Sequence, residues 1–361
     1  MKSSVSIIVQ EALLLLKELI AASSFSTQED QTASILTKFL GSKGIEHYRA
    51  GNNVYARNKF YKEGIPTLLL NSHHDTVKPN KSYTRDPFTP IEQDGKLFGL
   101  GSNDAGGALV SLIAAFLHYY ENPQLKYNLI LAATAEEEIS GTQGIESILP
   151  LLGRIDCAIV GEPTLMELAI AERGLMVLDC TSKGKAGHAA REEGDNAIYR
   201  ALKDIEWFKI FQFPRLSNML GPVKMSVTVI QSENNAHNVI PDTCRFVVDV
   251  RVNEHYTFED LLGIIAAHVN CEIKPRSTRL RSSLIDPNHP LVRAGILSGK
   301  KTYGSPTTSD KALMPFPALK MGPGDSARSH IADEFIYIRE IEEGIGTYIQ
   351  LLNIVLNETV E

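Results

Sequence analysis

The chain has 361 residues, long for one compact domain and comfortable for two. With 36 Lys+Arg against 43 Asp+Glu its net charge is -7, and no basic run is long enough to track phosphates, so nucleic acid is not the expected partner. No stretch approaches the roughly 18 to 20 apolar residues of a membrane span. The four cysteines, Cys157, Cys180, Cys244 and Cys271, lack CxxC spacing and read as reduced, mostly buried thiols, which suits a cytoplasmic protein with no membrane partner.

Residues 6–22 are broken by Gln10, Glu11, Lys17 and Glu18 at the spacing of an amphipathic helix, without the unbroken apolar centre of a signal peptide. A second amphipathic segment covers 31–41. Residues 67–71, 128–134 and 157–160 are short apolar runs that predict buried strands, and 106–118 has the length and small-residue content of a buried helix. Strands alternating with helices predict an α/β sheet covered on both faces.

Near residue 175 the texture changes. Residues 176–182, 223–231 and 244–252 alternate like half-exposed strands, 271–279 is strand-like, and 196–210 and 258–268 read as helices. That order is β-α-β-β-α-β, the split βαβ of a ferredoxin-like α+β domain. After Pro287 the α/β texture returns, with a Gly/Pro-rich stretch over 321–325 and a final helix over 338–356. The expected organisation is one α/β domain built from 1–174 and 287–361, with a smaller domain inserted over 175–286.

Polar clusters punctuate the apolar runs. In Ser72-His73-His74-Asp75-Thr76, residues two apart share a face, so His73 and Asp75 point one way and His74 the other. A carboxylate behind an imidazole fixes its tautomer for metal binding, although a turn with two surface histidines fits the same letters. In Gly99-Leu-Gly101-Ser-Asn-Asp104-Ala-Gly-Gly107 the third glycine of a dinucleotide motif is replaced by Asp104, which also suits a helix N-cap. Glu136-Glu137-Glu138 ends an apolar strand. Three adjacent carboxylates repel one another, and a bound dication relieves that repulsion, one carboxylate ligating while a neighbour serves as general base. Glu162 lies in Gly161-Glu162-Pro163, and His330 precedes Asp333-Glu334.

His73, Asp104, Glu138, Glu162 and His330 together make two imidazoles and three carboxylates, each acid expected at the carboxyl end of a buried strand, where open α/β sheets place ligands. Nitrogen and oxygen donors without thiolate suit zinc, cobalt or manganese, and their number suits two ions with one carboxylate between them.

These residues resemble the M20 family of metallopeptidases and amidohydrolases over nearly the whole chain. His73-His74-Asp75-Thr76-Val77-Lys78-Pro79 stands for its H-x-D-x-V-P, one residue longer before the proline; Glu136-Glu137-Glu138 for D-E-E; Gly161-Glu162-Pro163 for G-E-P; and His330 for the histidine before an N-E or D-E pair. The resemblance implies that His73 and Glu162 hold one divalent ion, most commonly zinc, and Glu138 and His330 the other. Asp104 would bridge them, Asp75 orient His73 and Glu137 act as general base. It further implies that the inserted domain is a lid and dimerisation domain. His188, in Gly187-His188, would then stabilise the oxyanion from the partner subunit of a homodimer. Asn238, Arg251 and Thr308, the last in Thr308-Ser309-Asp310, match substrate-contacting positions, whereas His237 reads as a surface residue.

One departure is Asp104-Ala105-Gly106-Gly107, where many members carry D-M-K-G; the missing lysine is not a ligand. The implied reaction is hydrolysis of an N-acyl amino acid. The runs 161–164 and 171–174 resemble acetylornithine and acetyl-lysine deacetylases, a resemblance that implies N-acetyl- or N-succinyl-ornithine in arginine biosynthesis. Succinyl-diaminopimelate and dipeptides are the alternatives, and a non-catalytic metal-binding scaffold is the reading from another class. A serine hydrolase is rejected: no GxSxG occurs.

Overall fold

The computed structural model describes residues 2–191, 193–234 and 236–357; the remaining positions of the expected domain ranges lie outside the described residues. The chain forms two compact units. One comprises Met1–Ile170, Ile285–Tyr303 and Ser309–Glu361, the other Ala171–Leu284 with Gly304–Thr308. The smaller unit therefore starts four residues earlier than the change in sequence texture suggests, and it takes in Thr308.

In the larger unit, strands lie side by side in the order His47–Ala50, Asn53–Arg57, Asn128–Thr134, Thr67–His73, Cys157–Val160 and Ala318–Lys320. The last four run parallel, while the first two form an antiparallel hairpin at the edge. Every residue of Thr67–His73 and of Asn128–Thr134 is buried, which explains the apolar runs 68–70 and 129–133: parallel strands are covered on both faces. On one face Leu69, Ile130 and Ala158 pack with Ile145, Ile148 and Leu152 of the helix Ile145–Leu152. Leu68, Leu70, Leu129 and Leu131 alternate to the opposite face. There the buried helix Gly107–Tyr119 packs between Lys2–Ile20 and Ile338–Asn357. A methyl added at Gly161 would lie 2.7 Å from Leu112 Cδ1, so this helix presses on the carboxyl end of the parallel strands.

A second, three-stranded antiparallel sheet joins Ile91–Gln93, Lys96–Phe98 and Phe335–Tyr337. Its hairpin turns on Asp94-Gly95, both at positive φ (53° and 72°), the two-residue turn whose twist matches the strands. Pairing of Phe98 with Phe335 brings together segments more than two hundred residues apart in sequence.

The smaller unit is a four-stranded antiparallel sheet in the order Lys224–Ser232, Thr243–Val252, Gly174–Lys183, Glu272–Pro275. The helices Ala197–Ile210 and Phe258–Ala266 cover one face, completing the β-α-β-β-α-β succession. Asn196 caps the first helix, and Thr257 with Asp260 forms a capping box on the second. The last strand stops at Pro275, short of the expected 279; proline has no N–H for the ladder. All four cysteines are buried and unbonded. Among the described residues no helix is long and apolar enough to cross a membrane.

Candidate metal centre

The site grows from the carboxyl edge of the parallel strands. His73 ends Thr67–His73, and its Nδ1 lies 3.0 Å from the Asp75 carbonyl oxygen and 3.4 Å from Asp75 Oδ1. That leaves Nε2 turned to the other carboxylates. His74 takes the opposite side, between Thr32 Oγ1 and the Asn52 carbonyl, each at 2.9 Å, where burial lowers its pKa. Asp75 does more than orient His73. Its Oδ1 accepts from the Glu137 N–H (3.1 Å), and its Oδ2 from the Glu138 N–H (3.2 Å) and Ser26 Oγ (2.7 Å). The acidic triplet is thus held by its own backbone. The Glu136 N–H reaches Glu29 Oε1 at 3.3 Å, and the Glu136 side chain turns away to accept from the Gln143 N–H.

Asp104 reaches the site by a route the sequence pattern did not suggest. It does not follow a strand of the large sheet. It sits in the irregular turn Ser102–Gly106, after the three-residue strand Lys96–Phe98 of the second sheet. The Asp104–Ala105 peptide is cis. His330, at φ +62°, lies in the loop before Phe335–Tyr337 on that same sheet.

The arrangement has two halves that share Asp104. Its Oδ1 is 3.4 Å from His73 Nε2, and Glu162 Oε1 is 3.8 Å from that same nitrogen. Its Oδ2 is 3.5 Å from His330 Nε2, which lies 3.0 Å from Glu138 Oε2. Donor atoms of His73, Asp104 and Glu138 lie within 4.8 Å of one another, as do those of His73, Glu137 and Glu162. Two donors on one tetrahedral ion, each about 2.0–2.2 Å from it, stand roughly 3.3–3.6 Å apart. The 3.4 and 3.5 Å from the two Asp104 oxygens to His73 and His330 meet this, whereas both three-residue groups share His73 and one takes in Glu137.

The electrostatics agree. Burial opposes charge on His73, yet Asp104 and Asp75 outweigh it and hold the imidazole well above its ordinary pKa. Glu138 lifts His330 to about 9. Burial pushes Glu137 far above the carboxylate range, assisted by Glu162 and Asp310 against the pull of His73. Burial raises Glu138 in the same way. Asp75, despite burial, stays below its ordinary value because His73, Ser26 and the Glu138 N–H favour its charge. His73 and His330 hold Asp75 and Asp104 ionised, while Glu137 and Glu138 are left drawing protons, the mark of a pocket short of positive charge that dications would supply.

Three further acids belong to this neighbourhood. Glu334, inside the Asp333-Glu334 pair, is buried, and its carboxylate accepts from backbone N–H groups of the Asp104 turn. Asp310, inside Thr308-Ser309-Asp310, is buried and accepts from Thr134 Oγ1 at 2.8 Å; burial pushes it to about 7. Glu29, fully buried, carries no motif at all. The motif letters flagged the first two without a role, and neither the backbone groups that Glu334 meets nor the Thr134 hydroxyl that Asp310 meets leaves a sequence signature.

The other expected residues lie in the smaller unit. His188 is on the two-residue strand Gly187–His188, paired with Val239–Ile240, and the Ala189 N–H donates to the Asn238 carbonyl, so His188 and Asn238 are neighbours. Arg251 gives Nε and Nη2 to Asp249 at 2.8 and 3.0 Å, a salt bridge along its strand. Thr308 Oγ1 donates to the Arg173 carbonyl at 2.9 Å.

A shared carboxylate between two imidazole–carboxylate pairs, with a further carboxylate beside them, built where a parallel α/β sheet and a small antiparallel sheet meet, is the donor set of a metal-dependent hydrolase. Residues 69–354 match the family described as Peptidase family M20/M25/M40, and the chain belongs to it. It is 30% identical over 276 residues to a succinyl-diaminopimelate desuccinylase of Paracoccus denitrificans, a match covering 71% of this chain and 72% of that one. It is also 30% identical over 335 residues to an acetylornithine deacetylase of Shigella sonnei, covering 82% and 84%. A dinuclear metal-binding M20 peptidase from Bacillus subtilis shares the fold, with a TM-score of 0.73 at 18% identity over 98% of this chain and 100% of that one.

Proposed function

We propose that the protein hydrolyses the amide bond of an N-acylated amino acid, N-acetyl- or N-succinyl-ornithine, as a step of arginine biosynthesis in the cytoplasm. The observation that carries the hydrolytic part is Asp104, one carboxylate oxygen toward His73 and the other toward His330. The acetylornithine deacetylase supports the ornithine part, being matched over more of the chain than the desuccinylase at equal identity. Succinyl-diaminopimelate is the second reading, supported by desuccinylases from three organisms at 28–30% identity.

His73 and Glu162 would hold one divalent ion and Glu138 and His330 the other, with Asp104 between; zinc suits this donor set, and cobalt follows it. Such ions, when bound, polarise the substrate carbonyl and make water acidic enough to lose a proton near neutral pH. Glu137, whose pKa burial raises, takes that proton and later returns it to the leaving amine. Asp75 fixes the His73 ring and the backbone of Glu137 together. His188 is assigned to the oxyanion, supplied by a second copy in a homodimer, and Asn238, Arg251 and Thr308 to the substrate. The edge strand Lys224–Ser232, with Val229 and Ile230 exposed, supports pairing of two smaller units as lid and dimerisation domains.

The test is a substrate panel on zinc- or cobalt-loaded protein, with and without chelator: acetyl-ornithine, succinyl-ornithine, succinyl-diaminopimelate and several dipeptides. Chelator-sensitive release from an acylated ornithine is the expected result. Release confined to succinyl-diaminopimelate or to dipeptides would overturn the substrate and keep the chemistry. Two bound metals with no turnover on any member would favour a scaffold.

A further inference from the structure

The geometry points to Glu334 as a positioning residue that sets the shared carboxylate of Asp104 and ties its turn to the loop carrying His330. The inference rests on the metal reading of the site given above.

Glu334 is 2% exposed, and its carboxylate meets a row of backbone donors. Oε1 accepts from the Asn103 N–H at 2.8 Å and the Asp104 N–H at 2.9 Å; Oε2 accepts from the Gly101 N–H at 3.1 Å. Its own carbonyl accepts from the Gly99 N–H at 3.0 Å. One residue thus engages four backbone amides within 99–104, two of them in the turn that carries Asp104. The turn needs such a clamp because its path is irregular: Gly101 sits at φ +76°, where a methyl would lie 2.6 Å from Thr76 Cγ2, and Asp104 and Ala105 depart from helical angles.

Fixing the Asp104 N–H fixes the start of the side chain whose two oxygens face His73 and His330. The second end of the clamp is equally placed. Glu334 follows His330 by four residues and opens directly onto Phe335–Tyr337, whose pairing with Lys96–Phe98 anchors both loops to one small sheet. Neighbouring contacts tie the segment that carries His330 to the Asp104 turn and to residues 84–85. Asn103 Nδ2 donates to the Asp325 carbonyl at 3.0 Å, and the Asp325 N–H donates back to Asn103 Oδ1 at 3.1 Å. Asp333, beside Glu334, holds the backbone N–H groups of Thr84 and Arg85 at 2.9 and 3.0 Å. Glu334 alone among these reaches the amide of a candidate ligand.

A turn cap and a ligand-positioning group make different predictions. Glu334→Gln keeps the size, but its amide NH2 then opposes either the Gly101 N–H or the Asn103 and Asp104 N–H pair. The whole chain, stripped with chelator, is titrated with cobalt(II) by calorimetry and visible absorption, and amide exchange is followed in the metal-free state. The wild type is expected to take up two ions. In E334Q, affinity should fall 10- to 100-fold, the scale seen when a group supporting a ligand is lost, with an altered cobalt spectrum and faster exchange at Gly101, Asn103 and Asp104. Faster exchange with wild-type cobalt affinity and spectrum would reduce Glu334 to a turn cap and overturn the inference; so would wild-type behaviour in all three. Absence of cobalt uptake by the wild type would sink the metal reading itself, and this inference with it. Should E334Q fail to fold, Glu334→Asp, which keeps the charge but withdraws it by one methylene, is judged by the same measurements.

Discussion

Replacing Asp75 by Asn tests whether one carboxylate holds both the His73 ring and the acidic turn. Asp75 accepts from the Glu137 N–H, the Glu138 N–H and Ser26 Oγ. Asparagine has one oxygen. If that oxygen stays toward Glu137, the amide NH2 donates acceptably to Ser26 but faces the Glu138 N–H; if it flips, the Glu137 N–H is left facing a donor. Either way one largely buried N–H loses its acceptor, which costs about 1–3 kcal/mol. For a unit of this size each kcal/mol moves the midpoint about 2–4 °C, so the metal-free protein should melt roughly 2–12 °C lower. The negative charge behind His73 is lost as well, and metal affinity should fall about 10- to 100-fold. Thermal unfolding of the metal-free chain and calorimetric cobalt titration read the two effects separately. A variant with both values unchanged would refute the claim that Asp75 clamps the turn and the ring.

Glu137→Gln should still bind two ions, counted by elemental analysis, while turnover falls about 10²- to 10⁴-fold, the usual contribution of a general base; undiminished turnover would end that assignment. His73→Ala and His330→Ala should each lose one ion, whereas Asp104→Ala should weaken both, because its two oxygens face different imidazoles. Glu136→Ala should leave metal content and turnover alone. It loses only the acceptor for the Gln143 N–H, at a cost of about 1 kcal/mol in thermal or urea unfolding.

What could be read from the letters follows from packing. Strands covered on both faces need apolar centres, so the runs 68–70, 129–133 and 157–160 announce themselves, and the polar residues that end or follow them mark the carboxyl edge. His73, Glu137, Glu138 and Glu162 stand there. Asp104 was expected on the same edge for the same reason, and that expectation was misplaced. Its strand has three residues, too few for a period, and its partner Phe335–Tyr337 comes from the far end of the chain. The clamps were least visible. Whether Glu29, Asp75 or Glu334 caps a particular N–H depends on where a distant backbone arrives, and nothing in residue type or spacing encodes that.

The two halves of the site are built to different standards, and the difference bears on how they would fill. His73 is a strand residue with a side chain only 1% exposed, its ring fixed from behind by Asp75. Glu162 lies just past Cys157–Val160, and its N–H donates to the Met321 carbonyl. This half inherits the rigidity of the parallel sheet, so little ordering accompanies ligation. His330 has a side chain 53% exposed, stands in a loop at positive φ, and meets Glu138 from a short turn held by Asp75 and Glu29. Ligation there must also fix a loop. A shared Asp104 would link the halves, because its Oδ1 faces His73 and its Oδ2 faces His330, so a group held on one side would steady the carboxylate for the other. The expected order of filling is therefore the His73 side first and the His330 side second, read as two unequal steps in a calorimetric cobalt titration, the weaker of which His330→Ala removes.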